Sequence, residues 1–328
     1  MRWLWRSLLA IGALLLAGFI YEWIAETRDE AAYPPPGQMV AVDGHRLHIQ
    51  CSGTEGPTVV VEQGVGGPSI LWQPVAAEIA KFARVCLYDR AGYLWSEPVS
   101  GARSIEMRAA GLRTLLQQAR IQGPYILVAH SYGGLIVRVI ARDHPDEVAG
   151  MVLVDTPDEG VAFTDDYQRL TQQGETVMGL IVFAARFSAV RLWSAITSEG
   201  DVPGLSPQMN GALAAATVRP SFFNAIAGDL ASISSVPPAM RTPGAFGRLG
   251  DKPLIYVKHG IPFPGPFGFI EKYWDGGVQR QLALSTNSAL IVAHKANHMI
   301  ANDEPPAVIE AVRRVVTAAR EGTRISSQ

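Results

Sequence analysis

The sequence predicts an α/β layer fold, a mostly parallel β-sheet covered by helices on both faces. Three observations lead there. Short β-like runs alternate with helical stretches from Met39 onward. The runs TVVVE, YILVA and MVLV are apolar without alternation, as strands covered on both faces are. The chain has 328 residues, 48% hydrophobic and 18% charged, enough apolar material for one large domain or two small ones. That composition excludes a disordered chain. Lys and Arg number 28 against 30 Asp and Glu, a net charge of −2 with no basic stripe, so no nucleic-acid partner is expected.

The first element is the apolar run Leu8–Tyr21, preceded by Arg2 and Arg6 and followed by Glu22, Glu26, Asp29 and Glu30. It has no polar face, so it is not an ordinary surface helix. Its 14 residues span about 21 Å as a helix, short of a hydrocarbon core of roughly 30 Å. Trp3, Leu4, Trp5, Trp23 and Ile24 extend it, with tryptophans where interfacial anchors sit. Residues 1–30 read as an uncleaved signal anchor, with a cleaved signal peptide as the alternative, since no small-x-small cleavage site follows the run. In either case the arginines stay cytoplasmic. The remainder is then exported, periplasmic or extracellular, and membrane-tethered or secreted. The stiff Pro-rich spacer of residues 31–38 precedes the globular part.

Met39–Val42 and Arg46–Gln50 flank Asp43-Gly44, a dipeptide suited to a tight hairpin turn. Thr58–Glu62 is a buried strand, Pro74–Phe82 a helix and Val85–Tyr88 a strand. Ile105–Arg120 is a helix with Ser104 at its N-cap. Tyr125–Ala129, Gly133–Asp143 and Met151–Val154 continue as strand, helix, strand. Leu254–Val257, Ala289–Val292 and the helix Pro306–Ala319 close the pattern. The interval Thr156–Gly250 breaks the rhythm with helical segments Tyr167–Trp193, Pro207–Thr217 and Phe222–Ile233. An insertion of this kind reads as a helical cap over residues 156–250, between core segments 39–155 and 251–320. The stretch Val177–Trp193 is apolar nearly all round, which reads first as a cap helix buried against its neighbours and also suits part of a greasy substrate pocket.

Ala129-His130-Ser131-Tyr132-Gly133-Gly134 lies between a buried strand and a helix. There a sharp strand-to-helix turn raises a serine hydroxyl above the sheet edge, and small neighbours let the two elements approach. Ser131 is therefore the candidate nucleophile, with Ala129 where glycine is usual. A serine needs a base, and His298, after the last strand and before the final helix, is preferred to His294. The i,i+4 pair His294/His298 lacks the glutamate and helix of a zinc site, so no metal is implied, nor any organic cofactor. His45, His48, His144 and His259 read as structural, and His130 as shaping the turn. The backbone N–H groups of Tyr132 and of Val65, in the loop Gln63-Gly64-Val65-Gly66-Gly67, are the candidate oxyanion donors.

These pieces, with Tyr88-Asp89-Arg90-Ala91-Gly92-Tyr93, MVLVD and NHMI, resemble the α/β-hydrolase superfamily, in particular its capped, esterase-like members, over about Pro36–Ala319. The resemblance implies an eight-stranded sheet with strand two antiparallel, a cap inserted after strand six, and hydrolysis through an acyl-enzyme. Leu94 stands where relatives often carry glycine, so a differently shaped loop is expected there. Relatives usually place the acid after strand seven, but Lys258-His259-Gly260-Ile261-Pro262 holds no carboxylate. The end of strand six, used in some lipases, offers Asp155; Asp275 is the next candidate, then Asp158, Glu159 and Glu271. The implied strand order also makes Cys51 and Cys86 neighbours, either disulfide-bonded or buried as free thiols. The function these readings imply is serine hydrolysis of a carboxylic ester in a largely apolar small molecule. The rivals are carbon–carbon bond or amide hydrolysis or acyl transfer on the same scaffold, and a non-catalytic, membrane-tethered ligand-binding module.

Overall fold

The computed structural model describes residues 2–101, 103–197, 200–242 and 244–325. The chain opens with helix α1 (Arg2–Ala32), then the hairpin β1 (Gln38–Val42) and β2 (His45–Ser52). Asp43 and Gly44 both have positive φ, 49° and 84°, the backbone that a two-residue hairpin of matching twist requires. Next come β3 (Val59–Glu62), α2 (Gln73–Ile79), β4 (Val85–Tyr88), α3 (Ile105–Gln118), β5 (Tyr125–His130), α4 (Gly133–Asp143) and β6 (Val148–Val154). Among the described residues, five α-helices follow before the next strand: α5 (Glu159–Ala162), α6 (Asp165–Ala185), α7 (Ala189–Thr197), α8 (Pro207–Ala216) and α9 (Pro220–Ser234). The chain then returns to the sheet through β7 (Leu254–His259), α10 (Glu271–Leu282), β8 (Ser288–Ala293), α11 (Ile300–Asp303) and α12 (Pro305–Glu321).

The strands form one eight-stranded sheet in the order β1-β2-β4-β3-β5-β6-β7-β8. The hairpin pairs β1 with β2 antiparallel, β2 meets β4 antiparallel, and every later pairing is parallel. The two-residue period of a strand splits the core in two. Val60, Leu127, Ala129, Met151, Leu153 and Tyr256 face one side, with Leu112 and Leu115 of α3 and Leu135 and Val139 of α4. Val59, Val61, Ile126, Val128, Val152 and Ile255 face the other, against α2 and α12. Sequential parallel strands all deliver their carboxyl ends to one edge, so the loops that follow β3, β5, β6 and β7 converge there.

Three departures from the sequence reading have physical causes. The stretch Tyr167–Trp193 is not one helix: α6 and α7 meet at 92°. Ser188 takes a left-handed φ of 60° and its hydroxyl donates to the Gly18 carbonyl at 2.9 Å, so the break is held from outside by α1. Glu271–Leu282, left without an element by the sequence reading, forms α10; its Gly277 lets the helix lie against Asp158 and Val161. Leu94 keeps the positive φ, 42°, of the glycine often found there, and its buried side chain packs with Ile70, Ala212 and Ala216.

Cys51 and Cys86 face each other in the β2–β4 register and are bonded. Helix α1 is long and apolar enough to cross a membrane by length and composition, and 6% of its apolar window is buried. Glu22, which ends the apolar run in the sequence, is buried and ion-paired with Arg191 of α7 at 2.8 Å. The free face of the helix therefore stays apolar through Trp23 and Ile24. From Leu8 to Ala25 that is a rise of about 27 Å, close to a hydrocarbon core.

Candidate active site

Ser131 sits in the turn between β5 and α4 with φ of 50°, a left-handed backbone that a serine adopts only under constraint. The constraint is the closeness of neighbouring chain. A Cβ on Gly133 would lie 2.6 Å from the Glu62 carbonyl oxygen, and one on Gly134 2.5 Å from the Thr156 Cβ. Helix α4 can thus start directly behind the serine only because both positions lack side chains. Tyr132 is the N-cap of α4, where the first backbone N–H groups of a helix have no intrahelical acceptor. Its own ring is buried, with the hydroxyl hydrogen-bonded to Ser232 Oγ on α9 at 2.6 Å.

The Ser131 hydroxyl lies 2.8 Å from His298 Nε2, and His298 Nδ1 donates to Asp155 Oδ2 at 2.7 Å. Three loops thus bring together residues 131, 155 and 298, far apart in sequence. Asp155 follows β6 with φ of 47°, fully buried. It receives three further hydrogen bonds: from His259 Nδ1 at 2.7 Å, from Trp274 Nε1 at 2.9 Å and from the His259 backbone N–H at 3.3 Å. Burial opposes ionisation of this carboxyl, but the bonds from His259 and His298 outweigh it and hold the pKa down, at about 2. A carboxylate that stays ionised beside the ring keeps His298 with its Nε2 lone pair toward Ser131. An arrangement of this kind can take the hydroxyl proton as the oxygen attacks a carbonyl.

His130 packs against His298, ring centroids 4.7 Å apart, and its Nε2 donates to the His298 carbonyl oxygen at 2.9 Å. Burial, with the neighbouring His298, pushes its pKa down to about 3, so it stays neutral and steadies the loop without competing for protons.

The loop after β3 crosses in front of the turn: a Cβ on Gly64 would meet His130 Nδ1 at 2.9 Å and Ser131 Cβ at 3.0 Å. Arg90 fixes this loop. Its guanidinium donates to the carbonyl oxygens of Gln63 and Gly64, both at 2.7 Å, and pairs with Glu62 of β3 and Asp229 of α9. Tyr93 donates to the same Asp229 at 2.7 Å and accepts from the Gly66 N–H at 3.1 Å. Arg108 of α3 also pairs with Asp229, at 2.8 Å. One buried network therefore joins core, loop and cap.

Val65 and Ser131 open into a cavity of about 610 Å³. Its other walls include Tyr167 and Leu170 of α6, Leu230 and Ile233 of α9, Phe263 and Trp274. The lining is mostly apolar, and the Ser131 hydroxyl and His298 imidazole are part of it.

The remaining sequence candidates lie elsewhere or serve other contacts. Asp275 is exposed and pairs with Lys258. Asp158 caps α5 and binds Arg280, and Glu159 makes a two-point pair with Arg138 at 2.8 and 2.9 Å. Glu271 touches neither Ser131 nor His298: its carboxylate lies 3.2 Å from His259 Nε2 and accepts from the Phe263 backbone N–H at 3.3 Å. His294 is exposed, whereas His48 is buried on Asp89 at 2.8 Å.

The sequence reading passed over His259, Trp274 and the Arg90–Asp229 network. For His259 a signal existed: an imidazole stands at the end of β7, where relatives place the acid. Asp229, the only charge in the helix α9, was the corresponding signal for the network.

Residues 57–224 match a family model described as the alpha/beta hydrolase fold. The Bacillus subtilis protein YqjL is 36% identical over 115 residues, which is 35% of this chain and 46% of YqjL. The chain thus spans under half the length of that relative. Among solved structures, the enol-lactonase of Burkholderia xenovorans LB400 superposes with a TM-score of 0.61 at 17% identity, covering 85% of this chain and 100% of that one. A thermophilic esterase from Thermogutta terrifontis gives 0.61 at 18% identity, covering 86% and 97%. At such identities the likeness is one of fold.

Proposed function

The chain belongs to the alpha/beta hydrolase fold family, and on that premise we propose that it is a serine hydrolase cleaving a carboxylic ester through an acyl-enzyme. The single observation that carries this reading is the unbroken hydrogen-bond chain from Ser131 through His298 to Asp155, with bonds of 2.8 and 2.7 Å. Ser131 Oγ attacks the ester carbonyl while His298 Nε2 takes its proton. The imidazolium is stabilised by Asp155 and then protonates the leaving alcohol. Water, deprotonated by the same nitrogen, attacks the acyl-enzyme; the bond from the acyl carbon to Ser131 Oγ breaks, the proton passes from His298 back to that oxygen, and the acid leaves. The N–H groups of Val65 and Tyr132 are assigned to the oxyanion, the first positioned by Arg90 and the second by the start of α4.

The mostly apolar cavity supports a substrate with a substantial hydrocarbon part. Helix α1 is assigned as a membrane tether, with Arg2 and Arg6 on the cytoplasmic side and the globular part exported. The Cys51–Cys86 bond is in keeping with an oxidising compartment.

A fluorophosphonate probe tests the assignment. Covalent labelling of the folded protein at Ser131, absent in Ser131→Ala, is the expected result. A folded protein that hydrolyses no ester and leaves Ser131 unlabelled would instead be a ligand-binding module.

A further inference from the structure

We infer that the α6–α7 elbow of the cap is embedded in the lipid bilayer beside α1, and that the hydrolysed ester is a long-chain lipid taken from that bilayer. The substrate part of this inference rests on the serine-hydrolase reading above; the membrane part does not.

Val177, Leu180 and Phe183 of α6 are 49%, 69% and 62% exposed, and Leu192, Trp193 and Ile196 of α7 are 57%, 68% and 82% exposed. Large apolar side chains concentrated on one elbow mark an interaction site. Between Thr176 and Thr197 the only charged residues are Arg186 and Arg191, and Arg191 is already neutralised by Glu22 and Asp29.

What covers this surface follows from where it is attached. The elbow is held to α1 at Gly18, inside the apolar run: Ser188 donates to the Gly18 carbonyl, and a Cβ on Gly18 would lie 2.5 Å from the Phe187 carbonyl oxygen. Gly18 is seven residues before Ala25, where the apolar face of α1 ends, a depth of about 10 Å along the helix. If α1 crosses a bilayer, its contact with the elbow is fixed at a depth inside one leaflet, and the elbow cannot be in water. Ser188 and Arg191 find their partners on α1, as a hydrocarbon setting demands, and the exposed Arg186 is long enough to carry its charge out to the headgroups. The elbow's free face carries the same kind of side chains as α1 itself, so the two surfaces are continuous and take one occupant, the acyl region of a bilayer.

The path to the serine is the same helix. Tyr167, Leu170, Thr171 and Gly174, in the first part of α6, line the cavity that holds Ser131, and the exposed Val177, Leu180 and Phe183 lie further along the same helix, toward the elbow. An acyl chain leaving the leaflet at the elbow would follow α6 to the ester site without crossing water.

The chain, residues 1–328, in phosphatidylcholine vesicles allows both parts to be tested. Nitroxide labels at Leu180→Cys, Phe183→Cys and Trp193→Cys are expected to relax more strongly with oxygen than with a water-soluble nickel chelate, and Gln172→Cys, exposed on the earlier part of α6, the reverse. Labels at all four positions behaving alike would overturn the membrane contact. The double variant Leu180→Asp/Phe183→Asp is expected to slow hydrolysis of a vesicle-embedded long-chain ester at least tenfold while leaving a soluble short-chain ester unchanged. Equal rates on the embedded ester, or equal loss on both esters, would overturn the lipid route. Should Ser131 fail to react with fluorophosphonate, the hydrolase reading fails separately, and the relaxation result still decides the membrane contact.

Discussion

His259 Nδ1 lies within hydrogen-bond distance of both Asp155 oxygens, at 2.7 and 2.8 Å, while His298 binds only one of them. The acid of the proposed mechanism is thus shared between two imidazoles. Its site at the end of β6 is completed by the residue at the end of β7. Burial works against protonation of His259, but Asp155 and Glu271 more than offset it and raise its pKa. We expect His259→Gln to lower kcat about ten- to a hundredfold, the range seen when partners orienting a functional imidazole are removed. KM for a short soluble ester should change little. A variant with unaltered kcat would exclude a positioning role.

The same raised pKa has a consequence for stability. A histidine whose folded pKa lies above its ordinary value of 6.5 stabilises the fold fully below that value, and the contribution is lost as pH rises through the folded pKa. Urea unfolding of the wild type should therefore show stability declining above about pH 6.5, with His259→Gln lacking that part of the slope. Asp155 acts in the opposite range. Its depressed pKa gives stability that is present above 3.8 and is lost as pH falls toward about 2.

Asp155 and Asp275 are separated by one comparison. Asp155→Asn removes the buried acceptor of His298 and His259, and a loss in kcat of about 10⁴ is expected if it is the acid of the mechanism. Asp275→Asn alters an exposed pair with Lys258 and should leave both kcat and stability within error. Equal effects from the two substitutions would disprove the assignment.

Arg90 holds the loop of Val65 and answers two buried acids at once. Arg90→Met would leave Glu62 and Asp229 short of their counter-charge in the interior. A destabilisation of about 3–5 kcal/mol in chemical denaturation is expected. Arg90→Lys, which keeps the charge but not the fork that reaches both carbonyls, should retain more stability than Arg90→Met while still losing turnover.

Replacement of the nucleophile gives the largest effect. Ser131→Ala should reduce ester turnover by on the order of 10⁴–10⁶ with an unchanged unfolding curve, measured under single-turnover conditions.

Much of this protein is determined by local sequence. Uninterrupted apolar strands force burial on both faces, and the Gly133-Gly134 pair after Ser131 permits only a tight turn into α4. Asp43-Gly44 dictates a hairpin, and the run from Leu8 makes an unshielded helix. These features depend on backbone geometry and on water, which every segment meets by itself. Tertiary structure alone decided the rest. The sequence offered five carboxylates for one role, and only the convergence of the loops after β6 and β8 brings Asp155 to His298. The pairing of Arg90 with Asp229, the second imidazole on Asp155 and the break at Ser188 against Gly18 all depend on groups separated by many residues. Such contacts follow from the order in which strands are laid into the sheet, and side-chain charge or hydropathy read along the chain carries no record of that order.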